Sequence, residues 1–385
     1  MTAARRVYVH IGLPKTGTSY LQSIFWQSQS ALEAQDLQLV PSVRSMGYHL
    51  MLAVREELVP DLDGPKASKI LHRFREEAAA LTSSRALISQ ELLGAASPHQ
   101  AQALLGVLPH HEAHVVLTVR DLARHIPSAW QQQIKARAVM SYEDFRDEIT
   151  ASSTEAPWDP GYDLTGVLAR WGACVPPERI HVVTVPKPNV PASVLLERFC
   201  SVVGVDPERL NQEVGRSNTS LGLTQAELLR RVNLTLGDRL PHPRSGYGEH
   251  GKRFLGQTIL RPQGGEPAKL PERLSSWCER ASLEIVERLA SGGYDIVGDL
   301  DELLPDPSAF TGDDMVVSDA EVADAAAAAL ADILVARAGE QEEVATLRRQ
   351  VRALRKKVRA VSARAQPAPS GRWGRVRTRL GRLTR

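Results

Sequence analysis

Residues 7–19 read VYVHIGLPKTGTS and decide the fold of the chain. Val7–Ile11 is a short apolar, β-branched run that predicts a buried strand, and a glycine-containing turn follows it directly. Apolar residues then recur at helical spacing, so we expect a helix to begin at about Thr18 or Ser19. When a strand, a glycine-containing turn and a helix follow one another, the free backbone N–H groups of the first helical turn and the positive end of the helix dipole point toward the same place. The segment therefore predicts a site for a phosphate or a similar anion, with Lys15 adding a full positive charge.

The segment differs from the Walker A phosphate loop. That loop, G-x-x-x-x-G-K-[ST], has its lysine directly after the second glycine, whereas here Thr18 follows Gly17 and Lys15 precedes it. A nucleotide-dependent kinase is therefore the weaker interpretation, although the anion-binding geometry is retained. The plain structural alternative is that Pro14 and Gly17 only shape a tight strand-to-helix turn.

Further apolar runs alternate with segments of helical period, which is typical of βαβ units that build a parallel sheet. The fold class is thus predicted as α/β, a parallel β-sheet flanked by helices. Hydrophobic residues make up 43% of the 385 residues, and three cysteines without a C-x-x-C pair exclude a disulfide scaffold and a zinc ribbon. The predicted strands are Val7–Ile11, Leu37–Val40, Ala86–Ser89, His114–Val119 and Ile180–Val185.

A second anion site is predicted after the strand that ends at Val119. Arg120 follows this strand directly, and Pro127 is well placed as the first residue of a new helix. Ser128 would then lie in the first turn, beside unpaired N–H groups. In an open parallel sheet, ligands bind at the carboxyl ends of the strands, which is also where Lys15 lies. Two anion sites on one edge indicate one ligand with two phosphate groups.

These two motifs together resemble those of sulfotransferases that use 3′-phosphoadenosine 5′-phosphosulfate (PAPS). Residues 14–19 are similar to the family's 5′-phosphosulfate loop, and Arg120 with Ser128 to its 3′-phosphate motif. The resemblance covers about residues 5–300 and implies a P-loop-like fold, PAPS as the sulfuryl donor and no metal. It also extends to Arg216, in a stretch similar to the one that closes over the nucleotide in bacterial members. The donor-binding residues that it implies are Pro14, Lys15, Thr16, Gly17, Thr18, Ser19, Arg120, Ser128 and Arg216.

The reaction implied by this resemblance needs a cation at the leaving oxygen and a base for the acceptor proton. Lys15 is the expected cation. Glu91, which follows a buried strand at a position similar to the glutamate base of carbohydrate-directed members, is the first choice of base, and His49 is the second. The plain alternatives are a helix-capping Glu91 and a surface or core His49. His10, flanked by strand residues, is expected to be a buried, hydrogen-bonded neighbour of the loop.

The chain is expected to divide into a sulfotransferase domain (1–300), an acidic linker (301–317), a helix with a short heptad seam (318–366) and a basic amphipathic tail (367–385). From Val344 to Arg385 there are fourteen Lys and Arg residues and no Asp or Glu. The preceding residues carry 33 basic against 45 acidic side chains, a net charge of −12. Such a tail is consistent with an anionic membrane surface, with a disordered solubilising tail or, less favoured, with nucleic acid. The heptad seam is compatible with a homodimer.

The acceptor is expected to be a carbohydrate, glycolipid or other small molecule with a hydroxyl or amine. The segment 241–271 has no clear period and is predicted to be a long loop or lid. Its basic residues would recognise an acidic or sugar-like substrate, or would simply be solvated; they are Arg244, His250, Lys252 and Arg253. No signal peptide or membrane span is apparent, which predicts a cytoplasmic protein, and the basic tail allows peripheral binding to a membrane. The competing function is a non-catalytic scaffold that works through residues 318–385.

Overall fold

A computed structural model describes residues 5–151, 162–213, 220–240 and 246–365. In these residues, six strands form a sheet of order β2-β3-β1-β4-β5-β7, in which every neighbouring pair is parallel. The predicted α/β class with a parallel sheet is confirmed, and β7 is a strand that the sequence did not predict. These strands are β1 (Arg5–His10), β2 (Leu37–Leu39), β3 (Arg85–Ser89), β4 (His111–Val119), β5 (Ile180–Thr184) and β7 (Asp295–Val297).

Helices cover both faces of the sheet, because side chains along each strand alternate between two apolar clusters. Val7 and Val9 of β1 belong to one cluster, and Tyr8 belongs to the other. The Tyr8 cluster packs against α1 and α10, and the other against α3, α5, α6 and α9. The helices are α1 (Thr18–Gln27), α2 (Gln29–Glu33), α3 (Arg44–Val54), α4 (Pro60–Ala67), α5 (Ile70–Ala79), α6 (Pro98–Leu105), α7 (Leu122–Lys135), α8 (Tyr142–Ala151), α9 (Leu164–Gly172), α10 (Ser193–Val203), α11 (Leu223–Leu236), α12 (Ser275–Ser291) and α13 (Asp319–Ala365).

Two predicted local features are wrong. Pro127 does not begin a helix but lies inside α7, which starts at Leu122 because the Asp121 side chain caps it by accepting from the Arg124 N–H. In the second case, much of the predicted loop between 241 and 271 is helical: a π-helix spans Gly248–Leu260. It has no 3.6-residue apolar period because its turns are wider than those of an α-helix.

The segment 301–317 is tied to its surroundings by specific contacts. Glu302 accepts a hydrogen bond from Thr184 at the end of β5, and Asp314 pairs with the buried Arg146 at 2.7 Å. Residues Phe310–Thr311 form a short strand, β8, which pairs in parallel with β6 (Leu270–Pro271).

The described residues fall into two units, divided after Ala326. The second unit contains the remainder of α13, so the predicted C-terminal helix is confirmed. Its heptad seam is exposed at every position from Val344 to Val358, and the coiled-coil pairing stays a prediction. The basic tail 367–385 lies outside the described residues. Over the part of the chain that is described, no helix is long and apolar enough to cross a membrane.

Candidate functional site at the carboxyl edge of the sheet

The turn between β1 and α1 has the backbone of an anion cradle. Gly12, Lys15 and Gly17 all have positive φ angles, of 68°, 70° and 89°. A lysine rarely adopts this left-handed conformation, and such conformations cluster where function requires them. Gly17 is the N-cap of α1, which begins at Thr18 as predicted, and no side chain caps the helix. The first-turn N–H groups are therefore available to an anion.

The loop is anchored to β4, the strand that carries the second motif. The Leu13 N–H donates to the Thr118 carbonyl at 2.8 Å, and the two hydroxyls of Thr16 and Thr118 lie 2.6 Å apart. The Thr16 hydroxyl also donates to the Leu13 carbonyl. Because Thr16 is fully buried and spends its hydroxyl on these bonds, it holds the shape of the loop rather than donating to a ligand.

Two glycines of the loop are closely approached by neighbouring residues. A Cβ atom on Gly12 would lie 2.7 Å from the Glu91 Cβ, and one on Gly17 would lie 2.5 Å from a methyl carbon of Leu195 in α10. The first approach brings the end of β3 against the loop. Glycine is therefore required at position 12 by space and by φ, and at position 17 by φ, since the Leu195 methyl group can move aside.

Glu91 lies at the carboxyl end of β3, next to the loop. It begins a short 3₁₀ turn, Glu91–Ala95, whose cap is the Gln90 side chain and not Glu91 itself. The Gln22 amide of α1 donates to the Glu91 carboxylate at 3.0 Å. One carboxylate oxygen is thus oriented by α1, and the group is only partly buried. This geometry leaves Glu91 able to accept a proton from a ligand held by the loop.

The second predicted motif is assembled in part: Arg120 contacts Ser128, but α7 begins at Leu122, so Ser128 lies in its second turn and not beside unpaired first-turn N–H groups as predicted. Arg120, directly after β4, donates to the Ser128 hydroxyl at 2.7 Å and to the Arg124 carbonyl. The Ser128 hydroxyl donates to the same carbonyl at 3.1 Å, so it must exchange this bond to donate to a ligand. The Arg120 Nε atom is buried and has no hydrogen-bond partner among the described residues. The pKa of Arg120 is lowered to about 10, chiefly by burial and in smaller part by the neighbouring Arg124, while Asp121 opposes the change. A buried guanidinium with an unused N–H donor is suited to an anion such as a phosphate.

The electrostatics join the two motifs into one site. Burial lowers the pKa of the Lys15 ammonium, and so do the nearby charges of Arg120 and Lys252, while Glu91 acts in the opposite direction. Lys15 and Arg120 therefore lie within range of each other's charge, as expected for two groups on one edge of the sheet. An anion bound between them would relieve this repulsion.

The remaining predicted residues have differing environments. Pro14 and Thr18 are buried in the loop, and Ser19 is exposed at the first turn of α1. His49 lies half-buried on α3, its ring 6.2 Å from that of Tyr48, and no hydrogen bond joins it to Lys15 or Glu91. Arg216 lies outside the described residues.

His10 is buried as predicted, and its Nδ1 lies 2.8 Å from the Ser89 hydroxyl. The other ring nitrogen, Nε2, is buried without a hydrogen-bond partner in the described part of the chain. Burial lowers the pKa of His10 to about 3, so the ring is neutral at physiological pH. It therefore supports the end of β1 and does not serve as a proton carrier.

Lys135 is a member of the site that the sequence analysis missed. It ends α7, seven residues and two helical turns after Ser128, so both lie on one face of that helix. Burial lowers the pKa of Lys135 to about 8, and repulsion from Lys15, Lys252 and Arg261 contributes. The sequence feature that could have identified Lys135 is its seven-residue spacing from Ser128, which places both residues on one face of the helix.

A cavity of about 420 Å³ opens beside Arg120. Its lining includes Leu13 of the loop, His125 of α7, and Trp277 and Arg280 of α12. Lys15 and Glu91 do not line it. The cavity is large enough for part of a small ligand, but it lies away from the lysine and carboxylate that would perform a proton or group transfer.

No cluster of three or more potential metal ligands occurs among the residues that the structure describes. No protein-family model matches the chain, and no curated protein is significantly similar to it.

Proposed function

We propose that the chain is a PAPS-dependent sulfotransferase with a P-loop-like fold. One observation carries this proposal: a loop lysine, a strand-end carboxylate and a buried strand-end arginine lie within range of one another at the carboxyl edge of the sheet. The donor has an anionic group at each end of its ribose, and Lys15 and Arg120 supply a buried cation for each. Glu91 supplies the base that the acceptor requires.

The proposed step is an in-line sulfuryl transfer. The acceptor oxygen attacks the sulfur, a new S–O bond forms, and the bond from sulfur to the oxygen of the 5′-phosphate breaks. The acceptor proton passes to Glu91, and adenosine 3′,5′-bisphosphate (PAP) leaves with the negative charge on its phosphate oxygen. Lys15 stabilises that charge by a hydrogen bond, which is strong because the ammonium is largely removed from water.

The other residues proposed to contact the sulfuryl donor follow from their positions at the site. The N–H groups from Lys15 to Ser19 would surround the 5′-phosphosulfate, with the hydroxyls of Thr18 and Ser19 nearby. Arg120 and Ser128 would hold the 3′-phosphate. Pro14 and Thr16 shape the loop, and the resemblance adds Arg216 as a further contact.

The decisive experiment compares two nucleotides that differ only in the 3′-phosphate. We expect PAP to bind at least tenfold more tightly than 5′-AMP in calorimetric titration, and PAPS to be consumed in the presence of a hydroxylated acceptor. Ser128→Ala is expected to weaken PAP binding about fivefold and to leave 5′-AMP within twofold, because it removes one hydrogen bond to the 3′-phosphate.

Equal affinity for the two nucleotides would refute the donor assignment. A parallel assay with ATP and Mg²⁺ tests the kinase alternative, which predicts phosphoryl transfer that Ser128→Ala leaves unchanged. Deletion of residues 318–385 tests the scaffold alternative, since a sulfotransferase working through Lys15 keeps its turnover when this segment is removed.

The proposal for the partners rests on the second unit. The seam of α13 exposes a row of large apolar side chains, which supports pairing with a second copy of the chain through a coiled coil. The basic tail supports peripheral binding of a cytoplasmic protein to an anionic membrane, near a glycan or lipid-linked acceptor. Sedimentation equilibrium tests the dimer, and co-sedimentation with phosphatidylserine vesicles, lost on removal of residues 370–385, tests the membrane contact.

A further inference from the structure

The apolar seam of α13 continues toward the amino terminus beyond Val344. Counting back by the same alternation of three and four residues reaches Glu340, Arg337, Ile333 and Leu330. Leu330 is 62% exposed, and the Arg337 guanidinium pairs with the Glu340 carboxylate of the same helix at 3.0 Å. The seam therefore has apolar residues on either side of one charged pair.

The two halves of α13 carry opposite charges. From Asp319 to Glu343 the helix has seven acidic side chains and one basic side chain, a net charge of −6. From Val344 to Ala365 it has eight basic side chains and no acidic one, a net charge of +8. At 1.5 Å per residue the whole helix is about 70 Å long. Charges in water are screened over about 8 Å, so within one helix only the residues at the junction of the two halves attract each other.

The basic half of α13 has no anionic neighbour. Arg348 and Arg352 lie four residues apart, as do Arg352 and Lys356, so like charges face each other along the helix and destabilise it. Over the described part of the helix, none of the cations from Arg348 to Arg359 forms an ion pair with a carboxylate. The five apolar seam residues of this half are 44–64% exposed. A partner for this surface must therefore be both apolar and anionic, which is the composition of the amino-terminal half of the same helix.

Parallel pairing of two copies of α13 conflicts with this distribution of charge. In a parallel coiled coil, each seam residue lies beside the same residue of the second copy. Arg337 would then face Arg337, Glu340 would face Glu340, and the two basic halves would lie side by side. Like charges in such positions weaken an interface. An antiparallel pair instead places each acidic half beside a basic half, and the two contacts are equivalent by symmetry.

We propose that α13 pairs with α13 of a second copy in an antiparallel coiled coil, with its two-fold axis between Val344 and Leu347. In this register Val344 of each copy packs against Leu347 of the other, and Ile333 packs against Val358. Glu340 lies among the cations of the second copy and not beside its own counterpart. The inference rests on the coiled-coil pairing proposed above and narrows it to one orientation, and it does not depend on the reaction assigned to the first unit.

Cysteine cross-linking in the full-length protein tests the orientation. Ile333→Cys and Val358→Cys are each oxidised alone, and the two are then mixed under reducing conditions and oxidised together. We expect about tenfold more disulfide-linked dimer from the mixture than from either variant alone, because positions 333 and 358 of the two copies face each other whereas identical positions lie about 37 Å apart. A mixture of Ala338→Cys and Ala353→Cys is the matched control, since these exposed positions of α13 lie outside the seam and should not cross-link. The parent protein, with its three free cysteines, gives the background.

The other outcomes each overturn the proposal. Cross-linking of Ile333→Cys and Val358→Cys with themselves would show a parallel pair, and a dimer that cross-links in neither arm would place the interface elsewhere. Sedimentation equilibrium adds a second measurement: raising NaCl from about 0.05 M to about 0.5 M should weaken an antiparallel dimer about fivefold and would strengthen a parallel one. A parent protein that stays monomeric at every concentration refutes the pairing itself, and PAP titration of the same sample shows separately whether the sulfotransferase assignment stands.

Discussion

Charged groups at the two ends of the central strands differ in their partners: those at the amino-terminal ends pair with one another, and the cations of the candidate site at the carboxyl ends do not. In the amino-terminal halves, four side chains form a hydrogen-bonded row: Glu112 to His114 at 3.0 Å, His114 to His181 at 2.9 Å, and His181 to Asp295 at 2.6 Å. Glu112 also pairs with Arg179 at 3.0 Å. At the carboxyl edge, by contrast, Lys15, Arg120 and Lys135 form no ion pair with a carboxylate within the described residues.

The difference separates groups that stabilise the fold from groups that await a ligand. The three contacts of this row need three ring protons, so the row is complete when one of the two imidazoles is protonated, and that charge then lies between two carboxylates of the protein itself. Buried cations without counter-ions lower the stability of the protein and persist only where another requirement holds them. The comparison therefore predicts that substitutions at the carboxyl edge change binding and turnover, whereas substitutions in the amino-terminal halves do not.

The largest effect is expected from Lys15→Ala. Loss of the cation at the leaving oxygen should lower PAPS turnover about 10³-fold, because charge that develops in the transition state is then unsupported. Turnover is measured by release of PAP at saturating acceptor. Arg179→Ala removes a cation from the amino-terminal row and should leave turnover within twofold. Comparable losses in both variants would show that the two ends do not differ in this way.

Glu91→Gln is expected to have the next largest effect, lowering kcat about 10²-fold while PAP affinity stays within twofold, since the carboxylate acts on the acceptor proton and not on the donor. His49→Gln is the matched test of the second candidate base. Loss of turnover in His49→Gln with an unchanged Glu91→Gln would transfer the role of base to α3.

The pH dependence of stability tests the burial of two histidines near the carboxyl edge, His10 and His125. The pKa of His10 is lowered to about 3 by burial, and that of His125 is also lowered to about 3 by burial and by the charges of Arg120 and Lys15. Above pH 6.5 both folded and unfolded histidines are neutral, and no stability is lost. Below it the unfolded chain binds protons that the native state does not, so the unfolding free energy falls with pH.

Each of these histidines should contribute a slope of about 1.4 kcal/mol per pH unit between pH 6.5 and about pH 3. Urea unfolding at pH 7, 6 and 5 measures this, and His10→Gln should remove one histidine's share of the slope. The control is His72→Gln, a change at an exposed histidine on α5. An unchanged slope in His10→Gln would contradict the assigned burial.

Sequence periodicity predicted the strands and the carboxyl edge well because both depend on local pattern. Because Lys15, Glu91 and Arg120 each follow a predicted strand, the sequence predicted them at one edge of the sheet, and in the structure they lie within range of one another's charge. The start of α7 was mispredicted because an Asp121 cap outweighed the preference of Pro127 for a first turn. Lys135 was missed because the burial of a terminal helix residue is decided by packing of the π-helix and α11, which lie about a hundred residues further along the chain.

The smallest effect is expected from Asp295→Asn, at the outer end of the amino-terminal row. Its pair with His181 is half exposed, so the change should lower the unfolding free energy by less than about 1 kcal/mol. PAPS turnover and PAP affinity should both remain within twofold, because an asparagine oxygen still accepts from His181. Urea unfolding at pH 7 measures the first quantity, and the turnover and titration assays measure the others. A tenfold loss of turnover without loss of stability would mean that the row transmits to the carboxyl ends of β4 and β5, and the division between a self-satisfied end and a ligand-binding end would then be wrong.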